Sequence, residues 1–244
     1  IAACNAHNVL VGNTPGVLVD AVADLTYALI LDSARQIVKA CAHVKSGAWG
    51  QNKPFGLTTD LANKTLGVVG MGDIGSAIAK RAQASKMNII YHYQHCCKML
   101  HINRNRRADD EALGATYVTF DELLAKADFI VIAVTLNPST KGLFDEAAFA
   151  KMKDGARLIN ISRGAVVNTE ALYNALVSGK LAHAAMDVTD PEPLPGDHKL
   201  LTLPNVTVTP HIASATTETR DAMALLTVDN ILAALEGKPM PAQV

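Results

Sequence analysis

Three polar side chains each stand just beyond a short apolar run: Arg163 after Arg157–Ile161, Glu192 after Ala182–Val188, and His211 after Val206–Thr209. A fixed cation, a carboxylate and an imidazole brought into one cleft suit hydride transfer to or from a carbonyl. A 2-keto acid presents a carboxylate beside a ketone. Arg163 can hold the first and polarise the second with rigid N–H donors. An unperturbed imidazole titrates at about 6.5, so His211 can give the alkoxide its proton as hydride arrives and retrieve it in the reverse direction. Glu192 on the second ring nitrogen would fix the tautomer and favour imidazolium. Taken singly, Arg163 could be half of a surface ion pair and His211 a loop histidine after Pro210. Their recurrence at three consecutive strand ends is what favours a site.

These residues need elements that aim them at one place. Upstream lies Gly70-Met71-Gly72-Asp73-Ile74-Gly75, preceded by a strand-like Thr65–Val69 and followed by a helical stretch over Ser76–Ser85 and a second strand over Asn88–Tyr93. A glycine turn inside a strand–helix–strand unit is the context of a dinucleotide site. Gly70 permits the tight turn, Gly72 lets a pyrophosphate reach the backbone, and Gly75 lets helix and strand pack. The helix N-terminus then supplies N–H groups to the anion. An NAD site places Asp or Glu roughly 20 residues further on. Here that region holds Tyr93, Gln94 and His95, followed by Arg104, Arg106 and Arg107. Guanidinium groups bind phosphate in a bidentate way, so NADP(H) is the preferred cofactor, with NAD(H) possible; a solvated basic loop is the alternative.

The remaining pattern predicts strands over 129–134, 157–161, 182–188 and 206–209, and helices over 120–127, 146–152, 169–178 and 218–235. A short strand over Asn8–Gly12 and one helix over Val17–Val44 precede them, then a loop over Ala48–Asn63. Alternating strands and helices imply a parallel sheet covered on both faces, a doubly wound α/β (Rossmann) fold. Apolar residues are 49% of 244, ample for a core, and the net charge is −1. That balance gives no electrostatic reason to expect nucleic acid or an anionic membrane as partner. No apolar run approaches the roughly 18 residues that span a bilayer, and no basic segment leading into an apolar one opens the chain. Four cysteines make no disulfide framework, so a reducing cytoplasm is the expected location.

At these residues the sequence resembles the D-isomer-specific 2-hydroxyacid dehydrogenases, within them most of all the glyoxylate/hydroxypyruvate reductases. The matching stretches are Gly12-Asn13-Thr14-Pro15-Gly16-Val17-Leu18, Thr65 to Gly75, Asn160-Ile161-Ser162-Arg163-Gly164, Asp187 to Pro193, and Pro210-His211-Ile212-Ala213-Ser214-Ala215-Thr216. The resemblance implies Arg163 for substrate binding, with Glu192 and His211 as the acid–base pair. It implies Gly72, Asp73 and Ile74 against the pyrophosphate, and Thr135, Ile161, Asp187 and Ala213 lining the other half of the cofactor. It also implies a homodimer, paired around the Val17–Val44 region. Glu192 rather than Gln beside the histidine argues against a formate dehydrogenase.

Members of that family have a further N-terminal segment that builds most of the substrate domain. This chain begins at Ile1, without Met, and is expected to carry only a remnant of that domain. The expected organisation is 1–16 as remnant, 17–212 as dinucleotide-binding domain (linking helix 17–44, Rossmann core 65–212), and 213–244 as a C-terminal helix returning towards the remnant. Relatives often carry a second tryptophan three residues after the one matching Trp49; Asn52 stands there. Tyr93 to Ile102 reads as an insertion. Its His95, Cys96, Cys97 and His101 lack the usual CxxC spacing, so no metal is expected. Two readings without turnover compete with an enzyme: a truncated nucleotide-binding fragment, and a scaffold like the corepressors that share this fold.

Overall fold

The computed structural model describes residues 1–93 and 114–244. Its frame is one seven-stranded parallel sheet, β1 (Thr65–Val69), β2 (Asn88–His92), β3 (Thr116–Tyr117), β4 (Phe129–Ile132), β5 (Ala156–Asn160), β6 (Leu181–Met186) and β7 (Val206–Val208), in the order β3-β2-β1-β4-β5-β6-β7. β1 is flanked by β2 and β4, with Leu66 opposite both Ile89 and Phe129. The strand order therefore reverses at β1, the switch point where open α/β sheets bind ligands.

The strands are buried on both faces, so they read as continuous apolar runs rather than alternating ones. Leu66, Val68, Phe129 and Val131 join one core with Val22, Ile30 and Ile78 of two covering helices, α2 (Val19–Arg35) and α4 (Asp73–Ala84). Val69, Ile130 and Ile132 join the other, with Leu123, Phe149 and Leu172 from α5 (Phe120–Lys126), α6 (Glu146–Lys151) and α7 (Thr169–Val177). A capping box at Thr119 and Glu122 starts α5, and Asp145 and Asn168 cap α6 and α7. These caps satisfy N–H groups that each first turn leaves without partners.

Most expected elements stand within two residues of their predicted limits, and three do not. The helix expected over 17–44 is two: α2 ends at Arg35, Gln36 takes a left-handed conformation (φ 52°), and α3 runs over Ile37–Lys45. Neither Gly nor Pro marks the break. Buried Asp32 does, because its Oδ1 accepts from Val38 N at 2.8 Å and caps the new helix while Oδ2 accepts from Thr207 Oγ1 at 2.6 Å. Asn8–Gly12 is no strand: only Gly12 bridges, antiparallel, to Gln243, and Val9 and Leu10 stay exposed. α4 begins at Asp73 rather than Ser76, so the glycine turn runs straight into the helix.

A short helix, α1 (Ala2–Ala6), opens the chain, and the chain's two ends meet beyond it. Asn13 N donates to Ala242 O and Val244 N to Val11 O. Asn230 of the last helix, α8 (Thr217–Leu235), holds both sides, donating to Asn13 O and accepting from Ala242 N.

Candidate active site

The first wall is the turn between β1 and α4. Gly70 has φ 101°, and a Cβ there would lie 2.6 Å from Ala133 O; at Gly75 it would lie 2.2 Å from Gly70 O. Both positions therefore admit only glycine without displacing backbone. At Gly72 a Cβ would meet nothing within 4 Å. That open backbone, at the N-terminus of a twelve-residue helix, is the cradle an anionic pyrophosphate fits. Asp73 opens the helix and is exposed, while Ile74 packs partly into the core. At the end of β2 stands Tyr93, whose hydroxyl donates to Met71 O within the turn at 2.6 Å. No carboxylate occupies that strand end among the described residues. Arg104, Arg106 and the insertion beyond Tyr93 lie outside the described residues.

Successive strands deliver the rest to the same rim. Thr135 follows β4 with its side chain exposed, and its carbonyl accepts from Thr140 Oγ1. Ile161 follows β5 and Ala213 follows β7, 8% and 7% exposed respectively. Arg163 leaves β5 through a turn built by Asn160, whose Oδ1 accepts from Ser162 N and whose Nδ2 donates to Arg163 O. One guanidinium nitrogen donates to Ser162 O at 2.7 Å.

Glu192 and His211 meet: His211 Nδ1 lies 2.5 Å from Glu192 Oε1. Glu192 Oε2 accepts from Thr189 N at 3.1 Å, so both carboxylate oxygens are fixed. Partial burial pushes the Glu192 carboxyl up. The hydrogen bonds from His211 and Thr189 and the charges of His211 and Arg163 outweigh it, and the group titrates below its ordinary value. The two side chains are 46% and 39% exposed. An exposed ion pair is worth about 0–1 kcal/mol, so stability alone is a weak reason for this one. His211 is also held at φ 54°, a conformation that disfavours a side chain and needs outside support.

Asp187 supplies that support. Expected beside the nicotinamide, Asp187 is 1% exposed, and its carboxylate is turned on the loop that carries His211. It accepts from Thr209 Oγ1 at 2.6 Å, Ile212 N at 2.9 Å and Ala213 N at 2.8 Å. Those partners bracket His211 and fix its backbone. Sequence reasoning placed Asp187 on the site but missed this task. It also missed Asn160 and Thr189 as orienting residues. The Asn-x-Ser spacing of a side-chain-stabilised turn could have revealed the first; no local signal announces the second.

Among the described residues no group of three His, Cys, Asp or Glu could hold a metal ion, and no helix is long and apolar enough to cross a membrane.

Comparison with known proteins fits this geometry. The family model for the D-isomer specific 2-hydroxyacid dehydrogenase NAD binding domain matches residues 27–213. A human glyoxylate reductase/hydroxypyruvate reductase is 44% identical over 240 residues, spanning 98% of this chain and 70% of that protein. A glyoxylate reductase from Paecilomyes thermophila superposes with a TM-score of 0.88 at 36% identity, covering all of this chain and 70% of the other. An NADPH-dependent glyoxylate/hydroxypyruvate reductase from Sinorhizobium meliloti, solved with NADP and malonate, gives 0.88 at 33% identity over all of this chain and 72% of that one.

Proposed function

The chain belongs to the D-isomer specific 2-hydroxyacid dehydrogenases, and from that premise we propose that it reduces a small 2-keto acid, glyoxylate or hydroxypyruvate, with NADP(H) preferred over NAD(H). The observation that carries the reading is the Glu192–His211 pair at 2.5 Å, set on the same rim of the sheet as Arg163 and the glycine turn.

Arg163 binds the substrate carboxylate and draws electron density from the adjacent ketone. His211 protonates the oxygen as the carbonyl is reduced. Glu192 holds Nδ1, which leaves Nε2 as the nitrogen that serves the substrate. A bound nicotinamide would supply the hydride. Gly72, Asp73 and Ile74 would meet its pyrophosphate on the turn that Gly70 and Gly75 shape, and Thr135, Ile161 and Ala213 would line the other half. Asp187 acts there through the His211 loop. In the sequence, Tyr93, Gln94 and His95 rather than Asp or Glu follow β2, with Arg104 and Arg106 further along, and this supports NADP(H).

Residues 1–16 and 213–244, joined at Asn230, form the base of a substrate-side layer in this proposal, and 17–212 form the nucleotide domain. The exposed apolar residues Ile37, Val38, Val44 and Trp49 fit a homodimer contact around α3. Turnover measured with NADPH and NADH against glyoxylate and hydroxypyruvate tests the reading. A higher kcat/KM with NADPH is expected; a preference for NADH contradicts the cofactor assignment, and binding without turnover contradicts the reaction.

A further inference from the structure

We infer that Gly164 is a positioning residue that sets the spacing between Arg163 and the Glu192–His211 pair by direct backbone contact. Gly164 is buried, and its φ lies outside the left-handed range, so conformational freedom is not what it provides. A Cβ there would lie 2.0 Å from the carbonyl carbon and oxygen of Thr189 and 2.5 Å from Asp190 N. The 189–190 peptide therefore rests on the Cα of the residue that follows Arg163. The amide at the other side of Thr189 orients Glu192 through Oε2, and Glu192 orients His211 through Oε1. A second tether reaches the same segment from α7, where Thr169 Oγ1 donates to Asp190 O at 3.0 Å. The register of cation against acid–base pair thus depends on a missing methyl group. With Ala at 164 the 189–190 peptide has to retreat by about 1.4 Å, from 2.0 Å to the 3.4 Å of ordinary contact, and the Thr189 N–H moves with it. A misplacement of about 1 Å costs roughly 100-fold in rate.

The kinetic part rests on the function proposed above; the positional part does not. The test uses Gly164→Ala and Thr169→Val in the whole chain, with the His211 tautomer read from nitrogen-15 chemical shifts alongside kcat and KM. Wild type is expected to keep the neutral ring's proton on Nδ1, facing Glu192. Gly164→Ala is expected to redistribute it towards Nε2 and lower kcat roughly 100-fold, with NADPH affinity within about twofold because the glycine turn is untouched. Thr169→Val, which adds no bulk at the contact, is expected to move the tautomer in the same direction with a smaller loss of kcat, and it decides the matter if Gly164→Ala does not fold. An unchanged tautomer in the variants that fold overturns the inference. A wild type without turnover whose tautomer still moves in the variants refutes the proposed reaction and upholds the positioning role.

Discussion

At the residue scale, the account turns on how two carboxylates divide their work. Glu192 meets the imidazole directly, and Asp187 meets the Thr209 hydroxyl before it and the Ile212 and Ala213 amides after it. Their different surroundings yield a testable sign. Glu192 titrates below its ordinary 4.5, so its contribution to stability is fully present above the unfolded value and is lost as pH falls through the lowered folded one. The stability difference between wild type and Glu192→Gln should be present at about pH 4.5 and above and diminish as pH falls further, as read by denaturant unfolding. A difference that does not diminish as pH falls below about 4.5 would show that Glu192 is not held as described. In kinetics the same variant should lose roughly 10–100-fold in kcat/KM, since it keeps a hydrogen-bonding group but loses the charge that supports imidazolium. Arg163, Glu192 and His211 were readable as candidates in the sequence because each stands just beyond a short apolar run. The use of Asp187 was not, because its partners arrive from a different strand, 22 to 26 positions along the chain. Gly164 was part of a recognisable stretch, yet its close approach to Thr189 exists only in three dimensions.

At the scale of elements, the turn between β1 and α4 separates two glycine roles that a motif treats alike. A methyl group at Gly75 strikes the Gly70 carbonyl at 2.2 Å, whereas at Gly72 it enters open space. Gly75→Ala should therefore lower the thermal midpoint by several degrees, overpacking being worth about 1–3 kcal/mol. Gly72→Ala should unfold like wild type and bind NADPH at least tenfold more weakly, because the methyl group occupies the anion's approach. Nucleotide affinity undiminished in Gly72→Ala, measured by fluorescence titration, would remove the cradle from the account. Strands and helices were legible here because burial on both faces makes apolar runs, and because capping residues such as Thr119, Asp145 and Asn168 punctuate them. The α2–α3 break at Gln36 was hidden. It depends on Asp32 reaching Thr207, 175 residues away, while the local helical spacing continues through it.

At the scale of the whole molecule, the two faces of the sheet have different chemistry. Beneath α2 lies a buried polar cluster in which Thr207 Oγ1 bridges Asp32 and His183, with Nε2 of the histidine 3.4 Å away. Arg157 donates to Ser33 O and Thr59 Oγ1 beside it. Burial pushes His183 down to about 4 from 6.5, with Asp32 opposing and Arg157 and Lys39 assisting. A depressed folded value means that stability is fully present above 6.5 and falls as pH drops towards about 4, because the unfolded chain takes the proton first. The loss is about 3 kcal/mol. His183→Leu should flatten this fall in the melting temperature between pH 7 and 4, and an unaltered slope would place the acid sensitivity elsewhere. The doubly wound architecture itself was legible from alternation of elements, and the cluster was not, since its members are scattered over β5, β6, β7 and α2. The architecture carries the central claim, that β5, β6 and β7 deliver cation, acid and imidazole to one rim facing a nucleotide turn. The most direct test is the loss of nicotinamide absorbance when the chain is mixed with NADPH and hydroxypyruvate, for wild type and His211→Ala together. The account predicts turnover in wild type, reduced at least 1000-fold in the variant, with NADPH affinity retained. Equal rates in the two proteins would contradict it.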